Sequence, residues 1–171
     1  MRAYVLFTIL ILFSSVALTQ QRAPGAASSP RLFASSADVT AMIAKAKAER
    51  KPDQANFIQP IVGAAPFNAN LEYRAAGVVA PASVHEREAE MFYVVEGAAT
   101  LVTGGTLRDE KRTNAANLTG SAIEGGTPRR IAKGDWVMVP ENTAHWFTKV
   151  EGTIVLMSIH LPNAAAPTAS R

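Results

Sequence analysis

After Pro52 the sequence breaks into many short runs that are rich in β-branched and aromatic residues, and Pro, Gly and Asn separate these runs. Runs of this kind suit strands of roughly four to eight residues joined by turns. The runs are 56–62, 70–76, 78–85, 90–96, 98–103, 129–132, 135–140, 146–150 and 153–160. We therefore predict an all-β domain, folded as an antiparallel barrel or sandwich.

The first residues differ in composition from the rest of the chain. Arg2 precedes an apolar run and then small residues, a pattern typical of a secretory signal peptide, which we assign to residues 1–19. An uncleaved membrane anchor is the alternative, but the apolar stretch 4–18 is shorter than the roughly 20 residues that a spanning helix needs. We expect an exported protein, periplasmic or extracellular, with no stable membrane anchor after cleavage.

Between this signal and the first strand we predict a linker and one helix. Residues 20–31 consist largely of Pro, Gly, Ala and Ser and predict a flexible linker. Residues 32–55 predict an N-terminal helical flank, in which Ser36 caps an amphipathic helix and Pro52 ends it. The apolar face of this helix is formed by Val39, Met42, Ile43 and Ala46.

The remaining chain is assigned to a single barrel and a tail. Residues 56–162 contain all the predicted strands, and we predict that residues 163–171 are disordered. Within the barrel, residues 104–126 are polar and carry two Gly-Gly pairs, which predicts a long inserted hairpin loop. A chain of 171 residues has the length of one domain with an ordinary core.

Charge and cysteine content exclude two classes of protein. The 17 basic and 14 acidic residues give a formal net charge of +3 that is not gathered into a stripe, so the sequence does not predict nucleic-acid binding. The chain has no cysteine, so disulfides cannot stabilise it outside the cell. Core packing must stabilise the domain, and a bound metal could stabilise it further.

Three residues in the middle of the chain have the chemistry of metal ligands. His85, Glu90 and His145 supply two imidazoles and a carboxylate, a set that binds a divalent transition metal and leaves coordination positions open. The four residues between His85 and Glu90 would place them on opposite faces of a straight strand. We therefore predict a tight turn at 86–89 that puts His85 and Glu90 on neighbouring antiparallel strands.

The segments around these ligands resemble the two sequence motifs of the cupin family. The spacing of the first motif is matched by Gly77, Ser83, His85, Glu90 and Gly97. The spacing of the second motif is matched by Gly134, Pro140, Asn142, His145 and Lys149. The resemblance covers roughly residues 56–162 and implies a cupin-type jelly-roll β-barrel.

Three positions depart from the family pattern. Ser83 stands where the family usually has its first histidine, Asn142 replaces a glycine and Lys149 replaces an asparagine. Asn tolerates the left-handed backbone that glycine supplies in a turn, so Asn142 is the mildest change.

The loss of the first histidine affects the predicted metal site directly. A hydroxyl is a weaker ligand than imidazole, so the resemblance implies one divalent metal held by His85, Glu90 and His145. Fe, Mn, Zn, Ni and Cu are not distinguished by these ligands. The alternative is a metal-free interior in which both histidines hydrogen-bond to Glu90.

Further residues are candidates for the surroundings of the site. Ser83 and His160, the remaining histidine, are candidates for an additional metal shell, although a half-buried surface position is the alternative for His160. The faces of the predicted strands make Phe92, Val94 and Phe147 pocket-wall residues, with ordinary core packing as the alternative. Lys149 is a candidate contact for an anionic substrate or a solvated lysine at the rim.

The resemblance implies a metal-binding protein that acts on a small molecule inside the barrel. Metal-dependent oxygenase, isomerase and decarboxylase chemistry all fit the family, and the fold does not choose among them. The alternative function is a non-catalytic module that binds a small ligand or the metal itself. Because proteins of this fold often form oligomers, we also expect a homodimer.

Overall fold

The structure, a computed structural model, describes residues 30–163. It contains one helix and eleven strands in this range. They are α1 (Ser36–Glu49), β1 (Phe57–Ala64), β2 (Phe67–Ala75), β3 (Ala82–His85), β4 (Glu88–Thr103), β5 (Thr106–Arg108), β6 (Lys111–Arg112), β7 (Asn117–Gly120), β8 (Ala122–Glu124), β9 (Thr127–Ala132), β10 (Trp136–Val139) and β11 (His145–Pro162). The fold is the all-β jelly roll with one N-terminal helix that the sequence predicts.

Several predictions concern residues outside this range. The signal peptide at 1–19 and most of the predicted linker and tail lie outside the described residues. Arg31, the last residue of the predicted linker, is already paired with Gly63 through two backbone hydrogen bonds of 3.0 and 2.9 Å. Within residues 30–163, no helix has the length and apolar character required to span a membrane.

Helix α1 forms where the sequence predicts it, with its cap one residue earlier. Ser35, rather than Ser36, is the N-cap, and Asp38 completes a capping box by accepting hydrogen bonds from the backbone and side chain of Ser35. The helix ends at Glu49, before Pro52. Its buried residues, Ile43 and Ala46, pack with β1 and β2.

Two long antiparallel strands, β4 and β11, form the central ribbon of the molecule. Their pairing runs from His145 opposite Thr103 to Pro162 opposite Glu88. The sequence predicts each of them as two strands, because Gly97 and Gly152 interrupt the apolar pattern. Both glycines have positive φ, and the ladder continues past them through shifts of register.

The other strands extend this ribbon on both sides. Strand β11 also pairs with β2, which pairs with β1, and it makes a short contact with β3 at His145 opposite Ser83. Strand β4 also pairs with β9 and β10. All of these pairs are antiparallel.

The two faces of β11 pack against different groups of apolar residues. Ile154 and Leu156 point into the interior cluster, which also contains Phe92, Val94, Leu101 and Phe147. Val155, between them in sequence, packs into a second cluster with Ile43 of α1 and Leu71 of β2. The helix therefore covers the outer face of the sheet, while the opposite face encloses the barrel interior.

The segment 104–126, which the sequence predicts as a long inserted hairpin loop, consists largely of short strands. It contains the four short strands β5 to β8, of which β5 pairs with β8 and β6 pairs with β7. Strand β7 also pairs with β3, placing Asn117 opposite His85 and Thr119 opposite Ser83. These strands have two to four residues each, too few to show an alternating pattern in the sequence.

Candidate metal centre

The three predicted ligands come together at one end of the barrel interior. Nε2 of His85 lies 3.3 Å from Oε2 of Glu90, and Nε2 of His145 lies 3.2 Å from the same oxygen. One ligand atom from each residue can be chosen so that all three lie within 4.8 Å of one another. Glu90 and His145 are buried, and the His85 side chain is 18% exposed. The arrangement is compatible with a single ion bound by all three.

The strands that carry His85 and Glu90 are not neighbours in the sheet, so that part of the prediction is wrong. Both β3 and β4 pair with β11, and β3 forms its own ladder with β7. His85 is the last residue of β3 and Glu90 lies near the start of β4, with only Glu86 and Arg87 between the strands. The side chains converge across the barrel interior rather than along one ladder.

His145 reaches the site because the central ribbon is strongly bent. It pairs with Thr103 at one end of the ribbon, whereas Glu90 pairs with His160 near the other end. A straight ribbon of this length would separate its ends by roughly 40 Å, at about 3.3 Å per residue. The contact between His145 and Glu90 therefore shows that the ribbon curls until its ends meet.

The turn before His145 is tied directly to the strand that carries His85. Asn142 has φ of 57°, the left-handed conformation that the sequence allows for it. Its backbone N–H donates a hydrogen bond of 2.7 Å to the carbonyl oxygen of His85. This bond holds the backbone of the turn before His145 against the backbone of His85.

Each imidazole is oriented by an oxygen at its Nδ1. Nδ1 of His85 donates to Oδ1 of Asn117 at 2.8 Å, and Nδ1 of His145 donates to the carbonyl oxygen of Thr143 at 3.4 Å. Because these oxygens are acceptors, the proton of each neutral ring resides on Nδ1 and the lone pair on Nε2. The Nε2 lone pairs of the neutral rings then face Glu90.

In the absence of a metal ion, an ionised Glu90 and a protonated His85 stabilise each other. Burial raises the pKa of Glu90, but hydrogen bonds with His145 and His85 and the charges of His145 and His160 outweigh burial and hold that pKa well below its ordinary value. Burial lowers the pKa of His85, but hydrogen bonds with Glu90 and Asn117 outweigh it and leave that pKa raised. Both shifts favour positive charge beside an ionised Glu90.

The site opens into a cavity of about 260 Å³. Arg74 of β2 lies on its wall, with its guanidinium carbon 4.3 Å from the centre of the Phe147 ring. Oε2 of Glu72 accepts hydrogen bonds from Nε and Nη2 of Arg74 at 3.2 and 2.7 Å, and from Asn56 at 2.7 Å. Glu72 does not engage Nη1 of Arg74, which leaves a charged donor on this wall.

The other predicted site residues divide between the cavity, the core and the surface. Ser83, His160 and Phe147 line the cavity. Phe92 and Val94 belong to the interior cluster, and the Phe92 ring lies 6.1 Å from the His145 ring and 5.4 Å from the Phe147 ring, measured between centres.

Lys149 is exposed and does not line this cavity. The register of β11 shifts between Phe147 and Lys149, so simple alternation from His145 does not apply there. The structure therefore does not bring Lys149 together with the ligands.

Sequence reasoning missed several polar residues around the site. These are Asn56, Glu72, Arg74, Glu88 and Asn117. An available signal was the alternation in β2, which places charged Glu72 and Arg74 on one face of a strand otherwise rich in core residues. Asn117 gave no signal, because the sequence pattern predicts a loop rather than a strand at its position.

Comparisons with known proteins find similarity of structure without similarity of sequence. No protein-family model and no curated protein sequence matches the chain. The chain is similar to the DMSP lyase DddQ from Ruegeria pomeroyi DSS-3, with 17% identity, 82% of this chain and 71% of that chain covered, and a TM-score of 0.52. It is similar to TT1209 from Thermus thermophilus, with 16% identity, coverage of 70% and 94%, and a TM-score of 0.51.

A cupin domain is also among the similar structures. The domain from Cnp3 of Schizosaccharomyces pombe shows 14% identity, coverage of 67% and 66%, and a TM-score of 0.46. At such identities the similarity concerns the fold alone. The structure therefore combines a jelly-roll β-barrel with a candidate metal centre at His85, Glu90 and His145.

Proposed function

We propose that this chain is an exported, metal-binding cupin that acts on a small molecule in the barrel cavity. Export rests on the composition of residues 1–19. Metal binding rests on the geometry of His85, Glu90 and His145. The similarity in fold to DddQ, which is a lyase, supports an enzymatic role.

The observation that carries metal binding is the convergence of lone pairs on Glu90. The Nδ1 atoms of His85 and His145 donate to other oxygens, so both Nε2 lone pairs face Oε2 of Glu90 at 3.3 and 3.2 Å. Acceptors at such distances repel one another unless a proton or a cation lies between them. Two imidazoles and a carboxylate are suitable ligands for a divalent transition metal.

The cavity indicates the kind of molecule on which the site acts. A volume of about 260 Å³ admits a small molecule of few atoms. Arg74 is largely buried, its side chain being 13% exposed, and its Nη1 is not engaged by Glu72. We expect a polar or anionic substrate that places an oxygen near this guanidinium.

A bound divalent metal would supply Lewis-acid catalysis or an open position for substrate or dioxygen. The chain's own residues hold and orient the reactants. Asn117 and Thr143 fix the two imidazole rings, Arg74 orients the substrate, and Phe147 shields one wall of the cavity from water. Oxygenase, isomerase and decarboxylase reactions are all compatible with this arrangement.

Metal content of purified protein tests the proposal. We expect one metal per chain in untagged wild-type protein prepared without chelator, measured by elemental analysis. Glu90→Ala and His145→Ala should each weaken affinity by more than the roughly 10- to 100-fold that loss of an outer hydrogen-bond partner causes. N-terminal sequencing of the exported protein should find a chain that begins near Gln20.

Glu151→Ala is the matched control, because Glu151 is a carboxylate in a surface ion pair with Arg130. It should keep full metal content. Wild-type protein without stoichiometric metal, or variants that retain it, would contradict the proposal. Oxygen uptake and product analysis over small acids, phenols and sugars then separate an enzyme from a non-catalytic ligand-binding module.

A further inference from the structure

His160 lies close to two of the three predicted ligands, Glu90 and His85, although it belongs to neither motif. It is near the end of β11 and pairs with Glu90 in the ladder. Its Nε2 lies 3.5 Å from Oε1 of Glu90, the oxygen that does not face His85 or His145. Its ring centre lies 5.4 Å from that of His85, compared with 5.2 Å between His85 and His145.

The orientation of His160 repeats that of the other two histidines. Its Nδ1 donates to Oε1 of Glu88 at 2.8 Å. An ionised carboxylate only accepts hydrogen bonds, so Nδ1 carries the proton and the lone pair of the neutral ring is on Nε2. That lone pair faces Glu90, and a carboxylate partner at Nδ1 also raises the basicity of an imidazole ligand.

The same cavity contains the position where the resembling motif has lost a histidine. Ser83 lines the cavity and lies opposite His145 in the short pairing of β3 with β11. Its hydroxyl is a weak ligand for a divalent transition metal. A third imidazole is therefore lacking from the motif residues, whereas His160 brings one to the same carboxylate from a different strand.

We propose that His160 is a fourth ligand of the metal held by His85, Glu90 and His145, and that Glu88 positions it. The inference rests on the proposed function, since it requires that the site binds metal. His160, on the last strand, would supply the imidazole that Ser83 does not. Glu88 also lies 3.8 Å from Nδ1 of His85, so one carboxylate stands beside two of the rings.

Cobalt(II) is the probe that tests this assignment in the full chain. X-ray absorption of the cobalt-loaded wild-type protein should count three imidazole ligands, and His160→Gln should reduce the count to two. His160→Gln should also weaken cobalt affinity at least 10-fold and change the visible absorption of the bound ion. Lys149→Gln, an exposed change on the same strand, should leave all three measurements unchanged.

Two further variants separate ligation from a general effect on folding. The double variant Ser83→His/His160→Gln should regain affinity and a third imidazole, because it restores the histidine of the motif. Glu88→Ala should weaken affinity by about 10- to 100-fold, and Glu88→Gln should recover much of it because its amide oxygen still accepts the Nδ1 proton.

The outcomes distinguish this proposal from the proposed function. Wild-type protein with two imidazoles, and His160→Gln with unchanged affinity and spectrum, would overturn the fourth ligand while the three-residue site stands. Wild-type protein that binds no cobalt would overturn both. A count of three that falls to two on His160→Gln is the result that establishes the assignment.

Discussion

At the scale of single residues, the site depends on the side chains that hold the imidazoles as much as on the imidazoles themselves. Asn117 is the clearest example, because its Oδ1 accepts the Nδ1 proton of His85 at 2.8 Å and leaves Nε2 free to bind metal. Metal ligands commonly have such a partner, and removal of the partner weakens binding without removing the ligand. Asn117 therefore offers a test that leaves the ligand set intact.

Asn117→Ala should weaken metal affinity by roughly 10- to 100-fold while the metal content at saturation stays at one per chain. The reason is that the His85 ring loses the hydrogen bond that fixes its orientation and tautomer. Isothermal titration calorimetry with the metal measures the change in affinity. Asn114→Ala, an exposed change three residues earlier, controls for disturbance of the segment, and equal losses in both variants would argue against a specific role for Asn117.

The candidate ligands were recognisable from the sequence, whereas the residues that hold them were not. His85, Glu90 and His145 stand at a recognisable spacing around Gly97 and Gly134. Asn117 and Arg74 come from strands that pair far along the chain, and a single sequence does not reveal which strands pair. The placement of Lys149 at the surface likewise depends on a local shift of register that the sequence pattern does not show.

At the scale of elements, Gly97 is the position where the central ribbon allows least change. It has φ of 78°, and a Cβ built there would lie 1.9 Å from the carbonyl oxygen of Thr153 on the paired strand. Gly77 has φ of 94°, but a Cβ there meets no atom within 4 Å. The two glycines share the same backbone requirement and differ in the space around them.

Gly97→Ala should therefore destabilise the protein much more than Gly77→Ala. The left-handed backbone alone costs an L-residue about 1–2 kcal/mol, which is the loss expected for Gly77→Ala. At Gly97 the strands must also separate, so the loss should exceed about 3 kcal/mol. Urea unfolding of both variants measures the difference, and similar losses would show that the ribbon accommodates the extra carbon easily.

The elements were predicted well where they are long and apolar and poorly where they are short and polar. All the predicted runs fall within or overlap strands, and α1 differs by one residue at its cap. The four strands of 104–126 have too few residues for a periodic pattern. Their structure comes from pairing with distant strands such as β3 rather than from local propensity.

At the scale of the whole molecule, the two faces of the sheet have different roles. The outer face packs against α1, and the inner face surrounds the candidate metal centre. Ile43 of α1, Leu71 and Val155 pack on the outer face. The interior cluster around Phe92 and Phe147 adjoins the candidate metal centre. Changes under the helix should therefore alter the stability of the fold without altering the ligands.

Ile43→Ala should lower the free energy of unfolding by about 2–4 kcal/mol, because it leaves a cavity between α1 and the sheet. Metal content should remain that of the wild type. Lys45→Ala, an exposed change on the same helix, should alter stability by less than about 0.5 kcal/mol. Thermal unfolding and elemental analysis of both variants provide the measurements, and loss of metal in Ile43→Ala would refute the separation of the two faces.

The curled ribbon carries His145 at one end and pairs Glu90 with His160 near the other. The number of residues between these ends therefore determines whether the three side chains meet. One inserted or deleted residue between 147 and 158 would turn the side chains beyond it to the opposite face of the sheet. Exposed positions along β4 and β11 should thus accept many substitutions. An insertion or deletion between 147 and 158 should instead move the imidazole of His160 away from the imidazoles of His85 and His145.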